Sequence, residues 1–271
     1  MKNLITAFLI VVAATATAQN HSLVKLWETD SIIAVPESVL PVKDILYVSL
    51  IDGGGWDADG KGGVGKLSAD GKKYDPAWIT GLNAPKGLGI FGNRIYVADI
   101  SEVVVINIEK GKIEKKIPID SATGMNDITI DSKGIVYASD SRKGKVWRIE
   151  NDKAALYLDN IKGVNGLKAI GDDLYIGGGK SFLKADAKKQ LTTVAEMTQG
   201  IDGIEPVGNG DFILTAWNGY IWYVHADGKV ETLLETYQQK KNTADIGYNQ
   251  QQHILYVPTF NAKTVACFLL K

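Results

Sequence analysis

Six short segments of this chain repeat one pattern, and the repeat leaves few folds open. Each begins with a polar residue, follows with a small or polar one and then an aliphatic, and leads about ten residues later to a strand ending in apolar residues. The segments are Glu37-Ser38-Val39, Lys86-Gly87-Leu88, Asn126-Asp127-Ile128, Asn165-Gly166-Leu167, Asp202-Gly203-Ile204 and Ala244-Asp245-Ile246. The strands after them read ILYVS, RIYVA, IVYAS, DLYIG, FILTA and ILYVP. The period of roughly forty residues is that of a propeller blade. Turn signals such as Ala69-Asp70-Gly71, Ser132-Lys133-Gly134 and Gly208-Asn209-Gly210 separate short apolar runs, as in antiparallel hairpins. No segment after residue 20 keeps a helical period over three turns. The expected fold is therefore all-β: a six-bladed β-propeller with blades near 36–83, 84–124, 125–163, 164–200, 201–242 and 243–271. The last is too short for four strands. The alternating segment Ser22–Ile33 is expected to complete it, so that the N- and C-terminal strands close the sixth blade.

With 271 residues, 45% of them hydrophobic, the chain can build one large β domain. Its formal charge of −1 and interspersed Lys and Asp/Glu favour neither nucleic acid nor an acidic membrane as partner. The N-terminus, Met1-Lys2-Asn3 followed by an apolar run to Ala14 and by Ala16-Thr17-Ala18, reads as a signal peptide over 1–18. That leaves a secreted or periplasmic propeller over 19–271. The apolar run is short for a membrane span. Cys267 is the sole cysteine, so no intramolecular disulfide can form, and its apolar neighbours suit a buried core residue on the last strand.

Equivalent positions of a propeller form a ring around its axis. Glu37, Lys86, Asn126, Asn165 and Asp202, distant in sequence, are thus expected at one mouth. Strands that face a core do not ordinarily begin with such residues, because burying charge without a partner is costly. Oxygen ligands from several blades suit a hard divalent cation. Glu37 and Asp202 are the expected carboxylate ligands and Asn165 a neutral oxygen ligand. Asn126 is either a fourth ligand or the holder of a water. Lys86 opposes a cation. It either pairs with Glu37 or an anionic part of a substrate, or runs its stem outward to solvent. Asp127 and Asp245, one position later in the motif, are expected beside the ring, Asp127 toward substrate and Asp245 behind the ligands. The alternative is that these side chains cap turns and bond neighbouring backbone.

Blade 1 carries a Gly-rich insertion over 51–66, expected to lie over one face with Trp56 as a lid or rim aromatic. Within it, Gly60-Lys61-Gly62-Gly63-Val64-Gly65-Lys66-Leu67 nearly matches a phosphate-binding loop. Leu67 stands where Ser or Thr is needed, and a turn follows instead of a helix, so nucleotide binding is not expected. Asp57-Ala58-Asp59 lacks the remaining ligands of a helix-loop-helix calcium site. His21, His225 and His253 fall in the N-terminal segment and near outer turns, where surface positions are expected, and no nucleophile–histidine motif occurs. Trp147 and Trp222 suit packing between blades, and Trp217 could line the mouth.

The series Glu37, Asn126-Asp127, Asn165-Gly166-Leu167, Asp202-Gly203, one per blade, resembles the senescence-marker-protein/gluconolactonase family of six-bladed propellers over the whole mature chain. The resemblance implies one divalent cation (Ca²⁺, Mg²⁺, Mn²⁺ or Zn²⁺) on Glu37, Asn165 and Asp202. Asp202 would act as general base toward a metal-activated water in the central cavity, and Asn126 would contact water or substrate. The implied function is hydrolysis of a lactone or related ester, the substrate a small molecule such as a sugar lactone. One departure stands out: where the family's lactonases carry an Arg two residues before the Asn, this chain has Gly124. A non-catalytic propeller with a structural ion, binding a glycan, peptide or protein, is the second expectation.

Overall fold

A computed structural model describes residues 21–271 of the chain. The expected signal peptide and its cleavage site lie outside the described residues. The chain folds as a six-bladed β-propeller of six four-stranded antiparallel sheets. Blades 1 to 5 each use consecutive strands, running from the axis outward. Their first strands are Pro36–Val42, Pro85–Phe91, Met125–Ile130, Val164–Ile170 and Ile204–Gly208. Blade 6 takes three strands from the C-terminus (Gly247–Asn249, Ile254–Pro258, Val265–Leu270) and its outermost from the N-terminal segment, Leu23–Glu28. That strand pairs antiparallel with the last one, Leu23 opposite Leu270 and Glu28 opposite Ala266. The closing strand is shorter than the 22–33 expected. It ends at Glu28; Ile32 is exposed, and Ile33 turns inward to reach the core between blades 1 and 6.

Apolar residues that alternate along each strand face the adjoining sheets. The core is therefore a ring of inter-blade clusters, for example Val103, Val105, Met125, Ile128 and Trp147 between blades 2 and 3. Trp222 packs likewise between blades 4 and 5, among Phe182, Phe212 and Leu214. Cys267 is buried in the cluster shared by blades 6 and 1, and burial pushes its thiol up to about 12, which suits an inert core residue. Among the described residues the helical segments are the short 3₁₀ turns Tyr237–Gln239 and Phe260–Ala262. No helix among them is long and apolar enough to cross a membrane.

The Gly-rich insertion divides in two. Residues 51–61 form the loop, but Gly62–Ser68 is the third strand of blade 1 rather than part of the loop. Its glycines answer to packing, not to mobility: a Cβ on Gly63 would stand 2.3 Å from the Ile79 carbonyl oxygen of the adjacent strand. With a strand at Lys66-Leu67, no helix N-terminus faces the near-match to a phosphate loop.

Candidate functional site around the central axis

Each repeated motif lies at or just before the start of a blade's innermost strand, and in four blades a bulge accompanies it. In blades 1 to 4 the register slips at the motif: between Pro36 and Val39, Pro85 and Leu88, Met125 and Ile128, and Val164 and Leu167. The extra residue in a bulge re-aims side chains. In blades 1, 3 and 5 the N–H of the motif's second residue donates to a hydroxyl on the second strand. Ser38 N donates to Ser49 Oγ (2.8 Å), Asp127 N to Ser139 Oγ (2.9 Å) and Gly203 N to Thr215 Oγ1 (2.8 Å). These hydroxyls are the Ser and Thr of the repeats ILYVS, IVYAS and FILTA.

Among the ring residues, Asn165 and Asp202 are in direct contact, and Glu37 feels the charges of Asp202 and Lys86. Asn165 Nδ2 donates to Asp202 Oδ1 at 2.9 Å, which leaves the Asn165 carbonyl oxygen and the second Asp202 oxygen for other partners. Glu37 is 5% exposed, and its Oε2 is buried without a hydrogen-bond partner. Burial, and then the negative charge of Asp202, hold its carboxyl well above the usual carboxylate range. Asp202, 3% exposed, is pushed up to about 8 by burial and by Asp245. Asn126 Nδ2 donates to Ser141 Oγ at 2.9 Å.

The residues one position later tie blades to one another. Asp127 accepts the Ile128 N–H on Oδ1 and the Leu167 N–H of blade 4 on Oδ2, both at 2.6 Å. Asp245 accepts Ser38 Oγ at 2.6 Å and gives its own N–H to the Glu37 carbonyl at 3.0 Å, joining blades 6 and 1. Burial pushes Asp245 up to about 6. Below the ring, Ser38, Asp127, Thr129, Lys168, Glu205 and Asp245 line a cavity of about 220 Å³ along the axis. Lys168 and Glu205 pair there at 2.7 Å. Charge does not balance in this channel. Glu37, Asp127, Asp202, Glu205 and Asp245 stand against the ammonium groups of Lys86 and Lys168, with Arg142 near Lys86. Burial accordingly raises the pKa of each of these carboxyl groups.

Lys86 does not run outward to solvent. It is 4% exposed, and its ammonium donates to the Gly55 carbonyl at 2.5 Å and the Ala84 carbonyl at 3.1 Å. It also lies over the Trp56 ring, 4.0 Å from the centroid. Burial lowers its pKa, while Glu37 and Asp99 work in the other direction. The loop thus reaches the mouth through Gly55 and Trp56. Trp217 is 44% exposed and meets Phe260 edge-on at 5.4 Å.

Arg142, which the sequence did not single out, reaches the same aromatic. Its guanidinium carbon lies 4.8 Å from the Trp56 centroid, so Trp56 serves two cations. Its side chain occupies the space beside Gly124, where an added Cβ would stand 2.7 Å from Arg142 Cγ. A cationic side chain thus stands beside the position that departs from the lactonase pattern. It is delivered from the hairpin after the second strand of blade 3 instead of from the inner strand. No linear spacing signals this, since the contact depends on how that hairpin folds over Gly124.

The donor set fits a hard divalent cation: the partnerless Glu37 Oε2, the upshifted Asp202 carboxyl and the neutral Asn165 carbonyl, whose amide nitrogen is engaged by Asp202. An ion there would meet the charge imbalance and displace the retained protons.

Solved structures similar to this chain are propellers matched over most of its length. A streptogramin B lyase shares 13% identity at a TM-score of 0.64, over 93% of this chain and 98% of that one. A catalytically inactive virginiamycin B lyase from Staphylococcus aureus with quinupristin shares 13% at 0.63, over 92% and 99%. A chain of a nidogen/laminin complex shares 15% at 0.65, over 79% and 85%. No protein-family model and no curated protein matches the chain. These likenesses establish the fold. The narrower resemblance to the senescence-marker-protein/gluconolactonase family rests on the ring residues alone.

Proposed function

We propose that the chain is a metal-dependent hydrolase of a lactone or related ester, working in a secreted or periplasmic setting. One observation supports this above others: the partnerless, buried Glu37 oxygen sits in one ring with Asp202, whose carboxyl is held near neutrality. Glu37, Asn165 and Asp202 would hold the cation, which when bound would polarise a carbonyl and stabilise developing negative charge. Asp202 would take a proton from water once the cation had freed its carboxylate. Its Oδ1 is fixed by Asn165, so the other oxygen is the one placed to accept a proton from water. Asn126, anchored by Ser141, would orient that water or the substrate. Trp56 and its loop would limit solvent at the mouth, and Arg142 and Lys86 would favour substrates carrying negative charge beside the reacting carbonyl.

The same fold serves a lyase and a chain of a protein complex among the similar structures, so fold does not choose between catalysis and binding. The low exposure of the ring and the Lys86–Gly55 contact across the mouth favour a second reading: a structural ion in a propeller that binds a glycan, peptide or protein. A panel of lactones, assayed after EDTA treatment and after return of Ca²⁺, Mn²⁺ or Zn²⁺, separates the two. Turnover that vanishes with EDTA and returns with one of these ions is the expected result. Absence of turnover on every lactone, together with an ion-dependent melting temperature, would leave the binding reading.

A further inference from the structure

Far along the chain from the ring motifs, His21, His225 and Glu231 converge on the outer side of blade 5. Their ligand atoms all lie within 4.8 Å of one another. His21 precedes the closing strand of blade 6, His225 follows the third strand of blade 5, and Glu231 lies on that blade's outermost strand. Glu231 Oε1 meets His225 Nε2 at 2.6 Å and His21 Nδ1 at 3.2 Å, and Oε2 accepts the His21 backbone N–H at 2.9 Å. Both rings are held in place by one aromatic. His21 stacks on Tyr223 with centroids 3.7 Å apart and planes 9° from parallel, and His225 meets Tyr223 edge-on at 5.0 Å. Tyr223 is itself fixed, its hydroxyl donating to Asp211 Oδ2 at 2.6 Å. The three side chains are between 21% and 28% exposed, so an ion can enter from solvent and keep an outward position for water.

We propose that His21, His225 and Glu231 form a transition-metal site, for Zn²⁺ or an ion of similar preference, that clamps the N-terminal segment onto blade 5. Two imidazole nitrogens and one carboxylate oxygen are the donor set of zinc, cobalt, nickel or copper, not of calcium or magnesium. Bonds of about 2.1 Å in a tetrahedron place ligand atoms roughly 3.4 Å apart. The observed His–Glu separations need only a modest opening to reach that. Orientation is the harder requirement, and the Tyr223 platform supplies it before any ion arrives. The site is chemically distinct from the all-oxygen ring at the axis. It joins a residue two positions before the closing strand to a strand of the neighbouring blade, so occupancy would reinforce ring closure.

The test is a Co²⁺ titration of the purified protein with His21 retained, in excess Ca²⁺, followed by melting with and without Zn²⁺. One equivalent of Co²⁺ should give a visible absorption band. Zn²⁺ at saturation should raise the melting temperature by about 3 °C or more. His225→Ala and Glu231→Gln should each lose band and shift together, whereas His253→Ala, at a histidine bonded to Tyr248, should keep both. Two variants guard against misfolding in either, and melting in EDTA checks each fold. An unchanged band and zinc shift in both variants would overturn the proposal. So would the absence of stoichiometric binding at micromolar metal, which would leave the three residues as a hydrogen-bonded clamp only.

Discussion

At Asp202 a buried carboxyl is kept close to neutral pH by burial and by Asp245, while one oxygen is pinned by Asn165. Asp202→Asn keeps the shape and the hydrogen-bonding capacity but removes both the charge and the base. Lactone turnover should fall by about 100-fold or more, the usual yield of a positioned base. The fold should persist, because the variant removes a group that is costly to ionise in place. Melting near pH 8 should therefore be unchanged or higher, and full turnover in the folded variant would sink the assignment. Arg142 permits a separate test. A hydrogen bond to a charged group contributes roughly 1.5–3 kcal/mol. Arg142→Ala should accordingly raise KM for carboxylate-bearing lactones by about tenfold and leave neutral lactones nearly untouched. Equal effects on both classes would show that Arg142 only packs against Trp56 and Gly124.

At the scale of elements, the inner strands were legible because their motif recurs and the first two positions of each are seldom apolar. The repeats also held a detail that periodicity alone does not explain. Ser49, Ser139 and Thr215 each accept the N–H of the motif's second residue in blades 1, 3 and 5, while Ala98 and Gly177 hold that place in blades 2 and 4. What escaped was whatever depends on contacts across blades. Residues 62–66 read as loop because glycine usually signals freedom, yet here it permits two backbones to meet. Arg142 had no recognisable spacing, and the place of Lys86 depends on carbonyls of a neighbouring loop. The glycines offer a contrast that checks this reading. Gly63→Ala would press a methyl against the Ile79 carbonyl and should cost about 1–3 kcal/mol. Gly55→Ala, with nothing within 4 Å of its added Cβ, should change stability by less than about 0.5 kcal/mol. Urea melts of the two variants would decide it, and equal losses would mean that the strand tolerates expansion.

At the scale of the molecule, a propeller is held shut by one seam, here the pairing of Leu23–Glu28 with Val265–Leu270. Deleting residues 22–33 leaves the last sheet with an open edge and removes Ile33 from its cluster. Calorimetry of that deletion should show no cooperative transition; an unchanged melting temperature would refute closure by this strand. The whole channel also titrates as one body. Glu37, Asp127, Asp202 and Asp245 all hold protons more tightly in the fold than ordinary carboxyl groups do, chiefly because they are buried. Between the ordinary value of 3.8 and about 8, the folded Asp202 keeps a proton that the unfolded chain has released. The native state then binds more protons, so its stability must fall as pH rises across that interval. Asp245 adds the same sign up to about 6. An ion at Glu37, Asn165 and Asp202 favours the ionised carboxylates and should flatten the slope. Melts from pH 5 to 8 in EDTA and in millimolar Ca²⁺ measure this directly. Surface acids of opposite sign, such as Glu28, cancel when wild type is compared with Asp202→Asn. In EDTA the wild type should lose stability with rising pH faster than the variant does, and Ca²⁺ should narrow the gap. Parallel curves in EDTA would mean that Asp202 is already ionised in the fold, and the electrostatic case for an ion at the axis would fail.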